Sequence, residues 1–238
     1  MTTFTAPLTL AQAAFTLVSS STGKADVTPI LATVQLVPGR VTSTDSYRVA
    51  RFEHAAITAD EEGAELLAPA EFAAWLKSLK RADLVKSHGG APGKRRGLAD
   101  AATDDYTLTI TSTGRVDTRS MAWRAEITAP AGTVVAQFGF IAPEGNYPPV
   151  ARLFPEQIAR GAGDEILPIS GGVGLALMGD ILASVKRYYA ALGETSKDFA
   201  PVVISGTSTD NSRRSAPMTI VPANDQHATF LLQPNLIK

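Results

Sequence analysis

Several stretches of this chain carry residue types that do chemistry, and each lacks a group that the chemistry needs. The run GGAPGKRRG puts Gly93 and Lys94 in a glycine-rich segment, a pairing that cradles nucleotide phosphates. The upstream glycine of a P-loop is His88 here and the following Ser or Thr is Arg95, so the backbone cradle and the Mg²⁺-binding hydroxyl are missing. In SGGVGLALMGD the last glycine of a dinucleotide fingerprint is Leu177, and close packing at a helix start explains the glycines as well. His54, His88 and His227 are far apart in sequence and form no i, i+4 pair, so they propose no metal site. There is no Gly-x-Ser-x-Gly elbow and no cysteine, which removes the strand-to-helix serine and every thiolate nucleophile. Asp60-Glu61-Glu62 and Asp104-Asp105 read as solvated loops. The chain therefore reads as a non-enzyme with no cofactor and no metal.

Cations form three groups: Lys77, Lys80 and Arg81; Lys186 and Arg187; and Lys86, Lys94, Arg95 and Arg96. Any one group is ordinary solubility charge, and the groups become informative only if the fold brings them together. The formal net charge is -1, so affinity for nucleic acid has to come from a local patch.

The elements that must position these residues follow from hydrophobic periodicity. With 238 residues, 45% of them hydrophobic and 19% charged, the chain can bury one large core or two smaller ones. The absence of cysteine fits a reducing compartment, and the start lacks the basic segment of a secretory signal, so a cytoplasmic location is expected. No apolar run approaches the roughly 20 residues of a membrane span. Thr9 to Gln12 has capping-box spacing and opens an amphipathic helix. PILATVQLV, a Pro38-Gly39 turn and RVTSTDSYRVARFEHA read as a hairpin, and AELLAP as a further strand. Pro69 starts a second helix with Phe72, Trp75, Leu76 and Leu79 on its apolar stripe.

Residues 84–105 show no periodicity and read as a mobile, inserted loop. YTLTIT, a Thr-Gly turn, MAWRAEITA and TVVAQFGFIA continue the strands. After the proline-rich PEGNYPPVARLFPEQ comes the longest helix, with a stripe of Leu175, Met178, Leu182, Val185, Tyr189 and Leu192. Two or three short strands close the chain. The class is α+β, sheets packed on a few helices without βαβ crossovers. The expected division is a first domain over 1–145, a connector over 146–164 and a short last domain over 165–238.

Three segments share a resemblance. STDSYRVA resembles the Ala-Thr-Asp-Gly-(His/Tyr)-Arg-Leu-Ala strand in the middle domain of bacterial DNA sliding clamps, the β subunit of replicative DNA polymerase. NYPPVARLFP is similar to the connector of that family, and APMTIVPANDQHATFLLQP to its ending. They occur in the order the family has them, which implies a chain like the middle and last of three clamp domains. The resemblance implies antiparallel sheets outside, helices lining a ring, and a bacterial or phage processivity factor assembled as a homo-oligomer. A trimer is favoured, and a tetramer or dimer is possible.

On that resemblance, double-stranded DNA is held without sequence preference by Lys77, Lys80, Arg81, Lys186 and Arg187, with Lys94, Arg95 and Arg96 reaching from the loop. DNA polymerase and clamp loader bind through short peptides in an interdomain pocket. Its walls are Ile30, Thr44, Ser46, Tyr47, Arg48 and Val49, then Pro148, Arg152 and Leu153, then Leu231, Gln233, Pro234 and Asn235. Gln233 and Asn235 stand where the family usually has methionine, which makes the pocket more polar. The alternatives are a clamp-like interaction module that does not encircle DNA, and an enzyme holding a phosphate at glycines 171–174.

Overall fold

The structure is a computed structural model and describes residues 1–24, 26, 28–91, 97–155, 158, 160, 164, 174–194, 202–206, 217–223 and 225–233. One pattern recurs along it, a helix and then a run of antiparallel strands, and in the first two units a strand leads the helix. The first unit is β1 (Thr3–Pro7), α1 (Leu8–Val18), β2 (Val34–Val37), β3 (Arg40–Thr44) and β4 (Arg48–Glu53), followed by the short β5 (Thr58–Ala59). The second is β6 (Leu66–Ala68), α2 (Ala70–Ser78), β7 (Thr107–Asp117), β8 (Ser120–Thr128) and β9 (Val134–Pro143), with α3 (Arg81–His88) and α4 (Gly97–Ala102) inserted after α2. A third has α5 (Leu175–Ala191), β10 (Val202–Gly206), β11 (Met218–Pro222) and β12 (Ala228–Leu232).

The first two units exchange their leading strands. β1 pairs with β7 of the second unit and β6 with β2 of the first, giving one sheet of order β5-β1-β7-β8-β9 and another of order β10-β11-β12-β4-β3-β2-β6. The third unit enters the second sheet through β12, whose residues Ala228 to Leu232 pair with Phe52 to Arg48 of β4. The α+β class expected from periodicity and the antiparallel sheets that the resemblance implies are what the chain forms.

α1 lies between the sheets, packing on β3 and β4 of one, on β1 and β7 of the other, and on helices α2, α4 and α5. Its residues are buried all round except Gln12 and Thr16, which are half-buried. Phe15 of α1 meets Phe72 of α2 edge to face at 5.3 Å, and Phe72 reaches Phe140 of β9 at 4.8 Å. Such aromatic pairs add about 0.5–1.5 kcal/mol each to the area they bury.

Several local expectations are corrected. β1 was not read as a strand, because five residues with a terminal proline give a weak alternation, and its Phe4 and Ala6 are buried. α1 begins at Leu8 with Pro7 at its cap, and no side chain caps it. Thr9 instead gives its backbone N–H and hydroxyl to Asp104, and Gln12 donates to the carbonyls of Leu76 and Leu79, binding α1 to the end of α2. Pro29–Ala32 is a turn of 3₁₀ helix, so only Val34–Val37 of that run is strand.

Thr113-Gly114 makes an irregularity within β7 rather than a turn, and the hairpin closes at Asp117, which accepts the Arg119 N–H at 2.7 Å. Residues 84–105 carry most of α3 and all of α4. α3 has Asp83 in its first turn and Lys86 and His88 in its last, matching the helix dipole, and Gly89 at φ 75° stops it. It buries no residue, which is why no periodicity marks it. On α5 the buried side chains are Ile181, Ser184, Val185, Tyr188 and Tyr189, while Leu175 is 86% and Leu182 42% exposed, so the apolar stripe is rotated from the expected one.

Asp104 is fully buried rather than solvated. It accepts from Thr9 and pairs with Arg81, whose Nε is 2.7 Å away, while Arg81 Nη2 reaches Asp105 at 2.6 Å. Removing one partner of a buried pair leaves the other charge uncompensated. Asp104→Ala is therefore expected to lower stability by about 3–5 kcal/mol, read as a shifted urea midpoint at unchanged slope. A change below about 1 kcal/mol would refute this role for the network.

Candidate functional site

The stretch from Thr44 to Arg48 is a turn built by its own side chains. Asp45 Oδ1 accepts the N–H groups of Tyr47 and Arg48, each at 3.0 Å. The Thr44 hydroxyl donates to the Arg48 carbonyl at 2.8 Å and accepts from the Ser46 N–H at 3.2 Å. Ser46 takes φ 77°, a left-handed conformation that a short polar residue tolerates and where glycine is easiest. The turn lifts Tyr47 out of the sheet, 63% exposed. Arg48 goes the other way: buried, it pairs through Nε with Asp45 and through Nη1 with Asp180 of α5, both at 2.9 Å.

The outer face of the second sheet carries its own small core. Tyr147 and Val150, from the segment that follows β9, pack on Val49 of β4, Leu67 of β6 and Leu231 of β12, with Ile30 and Phe154 at the margin. Burial raises the Tyr147 phenol above its ordinary pKa. The segment crosses the sheet as a strap, and beside it opens an apolar pocket of about 440 Å³.

Ten of the expected pocket residues line it: Ile30, Thr44, Ser46, Tyr47, Arg48, Val49, Pro148, Leu153, Leu231 and Gln233. They come together because β3, β4 and β12 are neighbours in register, with Thr44 opposite Val49 and Val49 opposite Leu231. The Gln233 N–H extends that register by donating to the Tyr47 carbonyl at 2.8 Å. Arg152 is corrected. It sits exposed on the 3₁₀ turn Val150–Leu153, outside the lining, while Val150 and Leu153 face in. Pro234 and Asn235 lie outside the described residues. Thr28, Leu31, Asn146, Val150 and Pro217 also line the pocket and were missed. Adjacency to Ile30 and Pro148 could have found most of them, but Pro217 follows only from the pairing of β11 with β12.

The basic groups separate. Lys77 of α2 and Arg187 of α5 come close enough to interact: desolvation first, and then the Arg187 guanidinium, hold the Lys77 ammonium below its ordinary pKa. Lys80, Lys186 and Arg187 are exposed with Lys77. Arg81 does not join them, because its guanidinium is spent on Asp104 and Asp105 with the side chain 10% exposed. Lys94, Arg95 and Arg96 fall outside the described residues. His54 and His227, distant in sequence, come within 4.9 Å of each other, yet among the described residues no cluster of metal-ligating side chains forms.

No protein-family model and no curated protein matches the sequence. Solved structures do match. The chain is similar to the DNA polymerase III β subunit of Thermotoga maritima over 100% of its own length and 66% of that chain, with TM-score 0.59 at 14% identity. It is similar to the DNA polymerase sliding clamp of Pseudomonas aeruginosa over 99% of its length and 66% of that chain, with TM-score 0.58 at 13% identity. The chain has the sliding-clamp fold. It spans about two thirds of the length of the solved clamps it matches. At this identity the likeness resides in backbone architecture, and the clamp fold is carried here by a largely different set of side chains.

Within this clamp fold Arg48 is a keystone of the pocket wall. Arg48→Ala is expected to cost about 3 kcal/mol. In double-mutant cycles followed by urea unfolding its coupling to Asp45, 14% exposed, should exceed its coupling to Asp180, 59% exposed, where screening leaves about 0.5–1 kcal/mol. The reverse order would show that the turn does not depend on the ion pair.

Proposed function

We propose that the protein is a DNA sliding clamp, a ring-forming processivity factor that tethers a replicative polymerase to duplex DNA and receives partner peptides in the pocket beside the strap. The observation that carries this reading is the convergence of ten expected wall residues from three distant segments on one apolar pocket, within a clamp fold that spans the chain. An open cleft with apolar walls and a few polar anchors suits an extended peptide. The proposed division is two clamp domains, 1–145 and 165–238, joined by residues 146–164. A helix followed by antiparallel strands occurs three times among the described residues. A ring of six domains from two-domain chains favours a trimer.

Two further observations support the ring. Among the described residues β9 is an edge of the first sheet, and its Val134 and Ile141 are 44% and 55% exposed, a surface open to strand pairing with another chain. Lys77 on α2, Lys80 at the start of α3, and Lys186 and Arg187 on α5 are exposed cations, and the proposed role of these is weak, salt-dependent attraction to phosphates. Lys94, Arg95 and Arg96 are proposed to add to it, and Arg81 is withdrawn to a structural role. An accessory role without catalysis and a cytoplasmic location belong to the same proposal.

Native mass spectrometry is expected to give a closed oligomer, with the trimer as the leading species, and a stable monomer at micromolar concentration would refute the ring. Loaded protein should stay on nicked circular plasmid and leave once the plasmid is linearised. Equal retention on both would favour a clamp-like module that binds partners without encircling DNA. Lys77→Ala with Arg187→Ala should lower the salt dependence of retention by up to about two phosphate contacts.

For the pocket, Leu153→Asp should weaken binding of a labelled peptide bearing Leu and Phe anchors by at least about tenfold while leaving the oligomer intact. Arg152→Ala should leave it unchanged. Equal affinity of Leu153→Asp and the unaltered protein would remove the peptide role.

A further inference from the structure

On the opposite side of the strap from the apolar pocket is a second cavity, of about 110 Å³, lined by polar and cationic groups of the same sheet. Gln35, Thr42 and Arg51 form one cross-strand row of its floor, since Gln35 stands opposite Thr42 and Thr42 opposite Arg51. Arg40 borders it from the next row, and Tyr147 to Ala151 with Phe154 form the roof. The two cavities share Pro148 and Val150 as walls. Their floors are successive rows on one face of β4, since Val49 belongs to the first and Arg51 to the second, roughly 7 Å apart for residues two positions along a strand.

The charged side chains that line the cavity are both arginines, Arg40 and Arg51. The Arg51 guanidinium lies 3.6 Å from the Phe154 ring centre, and its buried Nε has no hydrogen-bond partner, although Glu53 Oε2 is 3.3 Å away. Burial first, and then Arg40 and Arg160, hold Arg51 below its ordinary pKa, with Glu53 opposing them. Arg160 is already engaged, donating to the Asp225 and Ala228 carbonyls and the Thr229 hydroxyl, with Asp164 and Asp225 facing it. Among the described residues Arg40 and Arg51 are then the charged side chains of the lining, with two carboxylates at its margin: Glu53, 3.3 Å from Arg51, and Glu65, which accepts from Gln35 at 2.6 Å. A volume equal to three or four waters takes one carboxylate-bearing side chain. Arginine forks bind such a group with charge-assisted hydrogen bonds.

The geometry points to an acid-binding subsite: an extended peptide seated in the apolar pocket crosses the strap and places a Glu or Asp side chain between Arg40 and Arg51. This rests on reading the apolar pocket as a peptide groove. The partner class is then an apolar peptide with an acidic residue offset from its anchors, and the subsite adds selectivity to a pocket whose walls are otherwise unselective.

The test uses labelled octapeptides with Leu and Phe anchors that carry Glu or Gln at each flanking position in turn, with binding followed by fluorescence anisotropy at low salt. At one position Glu should bind about fivefold tighter than Gln. Arg40→Gln should erase that preference without altering the affinity of the Gln peptides. Arg152→Gln, exposed on the same strap but lining neither cavity, should preserve it. If no position distinguishes Glu from Gln, if the preference survives Arg40→Gln, or if Arg152→Gln removes it equally, the subsite is overturned while the groove stands. If none of the peptides binds at all, the groove itself is refuted and the subsite falls with it.

Discussion

The pairing of β4 with β12 is the constraint on which the rest of the molecule depends. Five residues on each side are in register, and strand alternation sends their side chains to opposite faces. Ala50, Phe52, Ala228, Phe230 and Leu232 enter the main core, where Phe52 meets Tyr188 of α5 at 6.0 Å. Val49 and Leu231 go outward to the strap, and Arg51 faces the polar cavity beside it. Fully burying one large apolar side chain is worth about 1.5–3 kcal/mol, and Phe52 and Phe230 are both fully buried. A slip of one residue would turn them to the surface and bring Arg51 into the core. The seat of α5, the pocket floor and the strap's small core thus share one register, and none can move without the others.

The exchange of β1 and β6 supplies a second kind of coupling. Each of the first two units completes its sheet with a strand from the other, so neither half can close its hydrogen bonds alone. α1 is buried between the two sheets they build and carries no charge, which makes it a structural helix rather than a binding surface. Its buried Thr9 is satisfied by Asp104, from the segment after α4, so the insertion between α2 and β7 is tied into the same core.

What was legible in the sequence was chemistry that acts locally. The Thr44-Asp45-Ser46 turn, the Pro38-Gly39 hairpin and the proline-rich strap announce themselves because short polar side chains, proline and glycine act on their own neighbours. Those segments include most of the pocket wall. Features decided by distant partners were not legible. Arg81 stands in a run of cations, and nothing nearby in sequence shows that Asp104 and Asp105 neutralise it. The α5 stripe was misphased because Leu175 and Leu182 are as apolar as the buried Ile181, and only the position of β12 and α1 decides which face turns inward. His54 and His227 meet because β4 and β12 pair, a contact across more than half the chain.

The charge distribution is coherent with the proposed topology. A protein that held DNA by affinity alone would need many cations on one face, because each phosphate contact adds only a modest, salt-sensitive increment. Among the described residues α1 is uncharged and Arg81 is spent inside the fold, and the exposed cations placed on α2 and α5 are Lys77, Lys186 and Arg187. Enclosure changes the requirement: once the duplex cannot leave sideways, a few exposed cations on α2 and α5 suffice to centre it, and stronger binding would oppose sliding. The few uncommitted cations that α2 and α5 present among the described residues are therefore compatible with the proposed topological tether.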